Sequence, residues 1–589
     1  MKRFILFIFL SISSLSFSQN DYLLGENYYR EGEYEKATQI FKSLYLKSPF
    51  NTSYLSRLIS CYQETDKFIE AEKLLKSRIK KNPHQGFFYV YLGYNYERQQ
   101  QKELATKNYD FALNSLDKNA SYGGIIGRTF KDYNLLDNAI LAYQKTMAKN
   151  KNANYSFQIA QIYGEKGDYK KMFESYIDLV DKNDRYFSLV QRYASKYITD
   201  DSENETNILF RKTLLKKSAS NPKNVWNVLL SWLFTQQKDY GKAFIQERAL
   251  YQRNPTELNA IFSLGKIVFE NQSYTDAKKC FDFIILNSTL DEEKIDANLY
   301  LTKIAVATNN PETENLFQNL FSEFGKNTLT IKLQVAYADF LTFKKNEPQK
   351  AKKILEKALD FSGSKYDKAR IKLKLGDILV FTGKYNKALI YFSQIQANLK
   401  GDELAQQARF KVAQTSYFKG DFSWAKAQLK VLKGSTTQLI ANDAVELFLL
   451  ITDNEPVDSI PSGLKQFAKA ELLAFQNKTQ EAIDTLNIIN KDFKGQPIED
   501  EALFKQAKLF IKTKNYDAAI LNLNNVISLN PEGILIDDAY YELAELYNNH
   551  LNNPEKASEY YQKIIFEHSS SIFLVDARKK YRKIRGDKV

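Results

Sequence analysis

With 589 residues, this chain is too long to be built around one globular core, because such cores stop growing at about 250–300 residues. Its 11 prolines and 22 glycines are few enough for a mostly helical chain. Two cysteines exclude a disulfide framework. The formal net charge of +13 comes from lysines and arginines scattered among acidic residues, a distribution that does not predict nucleic-acid binding.

The first eighteen residues are predicted to be an export signal. Lys2 and Arg3 form a short basic start, residues 4–10 are an unbroken apolar run, and residues 16–18 read Ser-Phe-Ser. Small residues at the last and third-last positions suit signal peptidase, so we predict cleavage before Gln19. The expected product is a soluble protein exported to the periplasm. Because the apolar run is short for a membrane span, a retained N-terminal anchor is the weaker alternative.

An alanine recurs at a fixed step along residues 19–184. Ala37, Ala71, Ala105 and Ala139 are 34 residues apart, and an aromatic residue often stands three positions before the alanine. A self-similar period near 34 residues is the signature of stacked helical hairpins. Each period also shows apolar residues at three- and four-residue spacing, which predicts two amphipathic helices per repeat.

The same spacing divides the rest of the chain. Residues 185–224 are a degenerate helical repeat without a clear repeat alanine, and residues 225–451 resume a regular central array. Residues 452–463 are rich in acidic residues, proline and serine, so we predict a loop that replaces the second helix of one hairpin. Residues 464–589 form a C-terminal array that ends in a basic helix.

The repeated pattern resembles the tetratricopeptide repeat. The third copy shows its positions together, with Leu92-Gly93, Tyr96, Ala105 and Tyr109. The resemblance covers nearly the whole chain after residue 18. It implies an all-α solenoid, a right-handed superhelix of about fourteen antiparallel helix hairpins. It also implies a non-enzymatic scaffold for protein–protein interaction that needs no cofactor.

The C-terminal repeats resemble a narrower group of proteins. The sequences DAYYELA (538–544), PEKA (554–557) and DAR (576–578) are similar to the longer repeats of periplasmic envelope proteins. These include the outer-membrane assembly lipoprotein of the barrel-insertion machine and the Tol–Pal-linked coordinator of cell-wall constriction. The chain lacks the lipobox cysteine of the former. The resemblance implies a role in envelope biogenesis or secretion; the alternative is a partner of polysaccharide export or of cell-wall modifying enzymes.

The tetratricopeptide resemblance also predicts where a partner binds. In this family the first helix of each hairpin lines a concave groove, which accepts an extended peptide or a partner helix. The residue after the repeat glycine, or its equivalent, is expected to face that groove. These positions are Glu26, Ser60, Tyr94, Arg128, Gln161, Trp232 and Lys266. They do not reproduce the Lys/Asn pattern of the chaperone-tail carboxylate clamp.

Two further surfaces are candidate contacts. One is the predicted acidic loop, with Asp453, Glu455 and Asp458, whose alternative is a tolerated surface insertion. The other is the basic tail, whose alternative is a solvated helix that ends the solenoid. Its members are Arg578, Lys579, Lys580, Arg582, Lys583 and Arg585. The excess of basic residues also suits solubility or a weak peripheral attraction to anionic lipid or glycan surfaces of the envelope.

Catalytic and metal-binding patterns are missing from the sequence. His84, His550 and His568 have no second ligand at metal spacing and no nucleophile motif beside them. Cys61 and Cys280 lie in repeat helices and are predicted to be buried and unpaired. We therefore predict no enzyme, no metal site and no cofactor.

Overall fold

The computed structural model describes residues 21–255, 257–434, 438–455 and 462–587. In these ranges the chain forms 32 α-helices and no β-strand, which confirms the all-α fold predicted from the repeat period. The predicted export signal and Asp458 lie outside the described residues. Within the same ranges, none of the helices is both long enough and apolar enough to cross a membrane.

Contacts divide the chain into two compact units. The described part of the first unit comprises residues 21–199 and 205–229. Its helix α1 covers residues 21–30. The helices that follow are α2 (Tyr34–Lys47), α3 (Thr52–Glu64), α4 (Phe68–Lys81), α5 (Phe87–Arg98), α6 (Lys102–Lys118), α7 (Gly123–Asp132), α8 (Leu136–Lys149), α9 (Ser156–Glu165), α10 (Tyr169–Lys182), α11 (Phe187–Ala194) and α12 (Glu205–Ser220).

The second unit comprises residues 200–204 and the described residues from 230 onward, so its boundary falls inside α13. Its helices are α13 (Asn224–Gln236), α14 (Tyr240–Arg253), α15 (Asn259–Glu270), α16 (Tyr274–Asn287), α17 (Asp291–Ala307), α18 (Thr313–Phe324), α19 (Ile331–Phe343), α20 (Pro348–Phe361), α21 (Lys365–Phe381), α22 (Tyr385–Asn398), α23 (Glu403–Phe418), α24 (Phe422–Leu432), α25 (Gln438–Asp453), α26 (Leu464–Phe475), α27 (Thr479–Asp492), α28 (Ile498–Lys512), α29 (Tyr516–Leu529), α30 (Ile536–Asn549), α31 (Pro554–Glu567) and α32 (Leu574–Ile584).

Consecutive helices pair as antiparallel hairpins through the repeat glycine and alanine. The repeat alanines lie on the second helix and are at most 3 % exposed. Where the repeat glycine is present, its helix meets an aromatic ring sixteen residues later: a Cβ on Gly93 would lie 2.4 Å from Tyr109 Cε1, and one on Gly376 would lie 2.3 Å from Phe392 Cε1. These spacings confirm that a small residue lets the two helices approach.

The degenerate stretch holds two helices, the short α11 and the longer α12, and both pack on α10. Helix α11 ends at Ala194, and the chain then takes an irregular path to α12. Asn207 holds this path in place, because its Nδ2 donates to the Thr199 carbonyl (2.9 Å) and its Oδ1 accepts from the Thr199 amide (3.2 Å). The stretch thus keeps two helices but departs from the regular repeats in the short α11 and in the irregular path that follows it.

A single helix precedes the predicted loop of residues 452–463. Helices α23 and α24 form a complete hairpin, and α25 is an additional helix that packs on α24 and ends at Asp453. Helix α26 then packs on α23 as well. Helix α25 thus has no second helix of its own among the described residues, and residues 456–461 of the predicted loop lie outside them.

Four phenylalanines meet where the first helices around this insertion end. Phe343, Phe381, Phe418 and Phe475 are the last residues of α19, α21, α23 and α26. The ring centroid of Phe475 lies 5.3 Å from that of Phe343 and 6.0 Å from that of Phe418. The Asn477 side chain also donates to the Phe343 carbonyl over 2.8 Å. Hairpins on either side of α25 are thus joined directly.

Candidate functional site

A groove of about 730 Å³ opens in the second unit, and we call it the central groove. It is lined mainly by the first helices of five successive hairpins, and each of these helices packs on the next. The five helices are α15, α17, α19, α21 and α23. Aromatic and aliphatic side chains, among them Phe262, Leu299, Tyr300 and Val335, contribute its apolar surface. The groove therefore lies on the face that the family resemblance assigns to partner binding.

Charged residues cross the central groove as a ladder of ion pairs. Each pair joins an aspartate on one first helix to a lysine on the next first helix, at a separation close to the repeat period. The pairs are Asp296–Lys332 (2.8 Å), Asp339–Lys374 (2.5 Å) and Asp377–Lys411 (3.2 Å). Such pairs fix neighbouring hairpins in register, and the groove is preorganised as a result.

The middle of the ladder is the most buried part. Burial by itself would raise the pKa of Asp377, but the ammonium groups of Lys411 and Lys374 lower it. Burial would likewise lower the pKa of Lys374, but the carboxylates of Asp377 and Asp339 raise it. Both groups are therefore held in their charged forms, and removing one partner would leave the other buried without a counter-charge.

Lys303 differs from the lysines of the ladder. Among the described residues no carboxylate lies within ion-pair distance of its ammonium group, which sits 4.6 Å from the ring centroid of Tyr300. The pKa of Lys303 is lowered because the surrounding groove desolvates it, and the nearby Lys332 adds to this effect. Its side chain remains exposed to solvent. Lys303 is thus a charged donor that a ligand can reach.

The charge of the central groove is uneven. Six of its lining residues are basic and three are acidic, and the three aspartates are those of the ladder. Lys266 is one of the basic residues, and its ammonium group lies 5.8 Å from the ring centroid of Phe262. The groove therefore offers aromatic faces together with hydrogen-bond donors.

The seven predicted groove positions all lie on first helices, as expected. Their helices are α1, α3, α5, α7, α9, α13 and α15 for Glu26, Ser60, Tyr94, Arg128, Gln161, Trp232 and Lys266 respectively. Of these positions, Lys266 is among the residues that line the central groove. Five of the others belong to the first unit, and the role of the other six in binding remains a prediction.

Several of these positions have contacts of their own within the first unit. Glu26 is 8 % exposed and pairs with Arg57 through a contact of 2.5 Å. The ring of Tyr94 stacks on that of Tyr133, with centroids 3.9 Å apart. Arg128 is exposed. Glu26 and Tyr94 thus stabilise adjacent hairpins, whatever else they bind.

Two of the three predicted acidic-loop residues, Asp453 and Glu455, are described by the structure. Asp453 is the last residue of α25, and Glu455 pairs with Lys426 over 2.6 Å. Asp453 faces a second cleft, about 620 Å³ in volume, that the sequence did not predict. Asp458 lies outside the described residues. Asp453 is therefore the loop residue that the structure places at a cleft.

The basic tail is partly occupied by contacts within the second unit. Lys579 contacts Asp200 over 3.1 Å, and Lys580 pairs with Glu545 (2.7 Å) and Asp576 (2.8 Å). The remaining basic residues of the tail are exposed or partly exposed: Arg578, Arg582, Lys583 and Arg585. Lys579 and Lys580 therefore hold helix α32 in place.

Sequence reasoning missed the ion-pair ladder and Lys303. The available signal was an aspartate and a lysine recurring 34–36 residues apart on first helices, at positions 296 and 332, 339 and 374, and 377 and 411. In the sequence these charges resemble an ordinary solvated surface. Among the described residues, no group of three or more His, Cys, Asp or Glu side chains is placed to hold a metal ion.

Comparisons with known proteins agree with the repeat assignment. The family model described as tetratricopeptide repeat matches residues 501–533 and 538–571, which contain the hairpins α28–α29 and α30–α31. The TPR repeat-containing protein MJ1428 of Methanocaldococcus jannaschii is 26 % identical over 179 residues, which are 30 % of this chain and 31 % of that protein. The chain thus matches about a third of that relative's length. The match to the tetratricopeptide repeat model is confined to these two C-terminal hairpins.

Two solved structures are similar over nearly the full length. A Naa15/Naa10 complex bound to HypK-THB matches with 14 % identity, 96 % coverage of each chain and a TM-score of 0.28. The APC/C hetero-tetramer Cut9–Hcn1 matches with 13 % identity, 98 % coverage of each chain and a TM-score of 0.26. TM-scores below 0.5 do not establish a shared arrangement of helices. The repeats and the groove define the class of the fold, an all-α stack of helix hairpins whose first helices line a groove.

Proposed function

We propose that this chain is a scaffold of the bacterial cell envelope that holds a polypeptide segment of a partner protein in the central groove. The observation that carries the proposal is the groove itself, with its aromatic faces, the unpaired ammonium group of Lys303 and the ion-pair ladder that preorganises the groove. Aromatic rings stack on apolar side chains, and ammonium groups donate to backbone carbonyls or carboxylates. An extended peptide or a helix presents both kinds of group.

The envelope setting rests on the sequence. The basic start, the apolar run of residues 4–10 and the small residues at 16 and 18 are typical of an export signal. The C-terminal motifs resemble those of envelope-biogenesis proteins. We therefore place the protein in the periplasm, with any contact with the outer membrane being peripheral, and assign it to envelope biogenesis or secretion. Cell fractionation should recover the protein in the periplasm. N-terminal sequencing of the recovered protein should start at Gln19.

Affinity capture with charge-reversal variants tests the binding function. The groove variant combines Lys266→Glu and Lys303→Glu. The control combines Lys357→Glu and Lys387→Glu, two exposed lysines on the second helices α20 and α22, and it changes the net charge equally. The parent and the control should capture the same envelope-biogenesis or secretion proteins from bacterial envelope extracts, and the groove variant should lose them.

The outcome also separates the alternatives. A folded groove variant that captured the same proteins as the parent would contradict binding in the central groove. Groove-dependent capture of glycan-handling enzymes instead of secretion or assembly components would replace the proposed pathway with the carbohydrate-related one. Helical circular dichroism of all three proteins provides the folding control.

A further inference from the structure

The second cleft lies among α25, α26, α28 and α30, within the second unit, and we call it the acidic cleft. Seven carboxylates line it against two lysines, in a chain whose overall net charge is positive. The carboxylates belong to Glu446, Asp453, Glu471, Asp500, Glu501, Glu532 and Asp538. Apolar side chains complete the lining, including Phe467 and Phe504. The cleft thus has the opposite charge balance to the central groove.

The two lysines of the acidic cleft are already paired. Lys505 contacts Glu471 over 2.6 Å, and Lys508 lies 3.8 Å from Glu542. Glu446, Glu501 and Asp538 have no ion-pair partner in the part of the chain that the structure describes. The cleft therefore holds three carboxylates that no lysine or arginine of the described chain neutralises through an ion pair.

Like charges make this arrangement unfavourable in the free protein. The pKa of Glu501 is raised to about 7 by burial, by Asp500 beside it on α28, and by the carboxylates of Glu471, Glu446 and Asp538 on α26, α25 and α30. The pKa of Asp538 is raised to about 6 by burial and by Asp537. A cation bound among these groups would relieve the repulsion.

An independent feature of the lining also calls for a donor. Asn454 lines the acidic cleft and is 5 % exposed. Its Nδ2 donates to the Leu450 carbonyl over 3.0 Å, but its Oδ1 accepts no hydrogen bond from the described residues. Since a buried acceptor without a hydrogen bond is unfavourable, this oxygen favours a ligand that brings an N–H donor.

We propose that the acidic cleft binds a basic peptide segment of a protein partner, whose lysine or arginine side chain enters among Glu446, Glu501 and Asp538. The apolar rim supports a peptide rather than a small cation, because Ile534 is 75 % exposed and Leu449 is 44 % exposed beside the carboxylates. The stem of a lysine or arginine packs on such a surface while its charged end reaches the carboxylates. This site is separate from the central groove.

The test uses the full chain and a fluorescein-labelled hexapeptide of alternating lysine and leucine as the probe. Binding is measured by fluorescence anisotropy at low ionic strength. The cleft variant Glu501→Gln/Asp538→Asn should weaken binding about tenfold or more, because it removes two of the carboxylates. The control Glu323→Gln/Asp360→Asn removes two exposed carboxylates on α18 and α20 and should bind as the parent does. A peptide with glutamate in place of lysine should not bind.

The pH dependence is a second readout. Affinity for the probe should rise between pH 5.5 and 7.5 as Glu501 and Asp538 lose their protons, and this rise should be much smaller in the cleft variant. Because the cleft variant removes repulsion, it should keep its helical circular dichroism and melt no lower than the parent. The groove variant Lys266→Glu/Lys303→Glu should bind the probe normally, which separates this proposal from the proposed function.

Three results would overturn the proposal. They are equal binding by the parent and the cleft variant, equal weakening in the control, and parent binding that does not change with pH. Concentration-dependent self-association of the chain, abolished by the cleft variant, would show that a second copy of this chain is the occupant instead of a partner protein.

Discussion

At the scale of single residues, hairpin packing depends on positions where a Cβ has no room. The repeat glycine of a first helix faces an aromatic ring of the second helix. Gly265, for example, faces Phe281, and a Cβ added to Gly265 would lie 2.9 Å from Phe281 Cζ. Not every glycine is of this kind, since a Cβ on Gly241 would meet only Asp276 Oδ1 at 3.8 Å. The two kinds provide a matched comparison within the second unit.

Replacing Gly376 by alanine should destabilise the protein by about 1–3 kcal/mol, because the new Cβ overlaps the ring of Phe392. Gly241→Ala should be neutral or stabilising by up to about 1 kcal/mol, because helix α14 gains a better helix former without a clash. Denaturant unfolding followed by circular dichroism measures both. Equal stability of the two variants would refute the close-packing role of the repeat glycine.

The two cysteines should be unreactive in the folded protein. Cys61 and Cys280 are free and at most 1 % exposed, and burial raises the pKa of each thiol to about 12. A thiol reagent at pH 8 should therefore modify neither residue until denaturant is added, when both should react. Rapid labelling without denaturant would contradict their placement in the repeat cores.

Glu501 should make stability fall as pH rises. Its pKa is about 7 in the folded chain against 4.5 for the ordinary side chain, so the folded state binds the proton more tightly than the unfolded state does. Its stabilising effect is complete below about pH 4.5 and is lost by about pH 7. Glu501→Gln should reduce this decline by on the order of 1–2 kcal/mol. Unfolding curves across this range that are identical for parent and variant would argue against the buried repulsion.

At the scale of elements, the insertion of α25 is joined to the regular hairpins by the phenylalanine cluster. Phe475→Ala should cost about 1–3 kcal/mol, because it removes the ring that contacts Phe343, Phe381 and Phe418. Phe566→Ala is the control, because this side chain on α31 is 75 % exposed and its loss should change stability by no more than about 0.5 kcal/mol. Thermal melting of both variants measures the difference in stability. An unchanged melting temperature for Phe475→Ala would show that the phenylalanine cluster does not stabilise the protein.

The hairpins could be predicted from the sequence because their packing requires particular residues at particular steps. Ala37 and its equivalents are buried, and the period of these alanines follows from that requirement. Turns were less predictable: φ is +77° at Gly32 but also +63° at Gln100 and +62° at Lys514, so one turn geometry accepts several residue types. Hairpin closure evidently outweighs the local backbone preference at these turns.

The candidate sites could be predicted only in part. The position after the repeat glycine correctly placed Lys266 on a first helix, because helix periodicity fixes which face a residue occupies. Asp339 and Lys374, and the cleft residues Glu501 and Asp538, belong to different repeats and meet only when hairpins stack in register. Single-helix periodicity contains no such information.

At the scale of the whole molecule, the chain combines a stack of hairpins with two surfaces of opposite charge balance in one unit. Basic residues outnumber acidic ones in the lining of the central groove, and acidic residues outnumber basic ones in the lining of the acidic cleft. Both are formed mostly by first helices, so a polypeptide partner can be recognised by residues that several repeats contribute. This arrangement is what the proposed scaffold function requires.

Site-specific photo-crosslinking in bacterial cells tests the central claim most directly. A photoreactive phenylalanine derivative replaces Gln407, a lining residue of the central groove on α23, or Leu286, which is 83 % exposed on the second helix α16, in the control. The account predicts a covalent adduct with an envelope protein from position 407 and none from position 286. No adduct from position 407, or equal yields from both positions, would contradict the claim that the groove binds a protein partner.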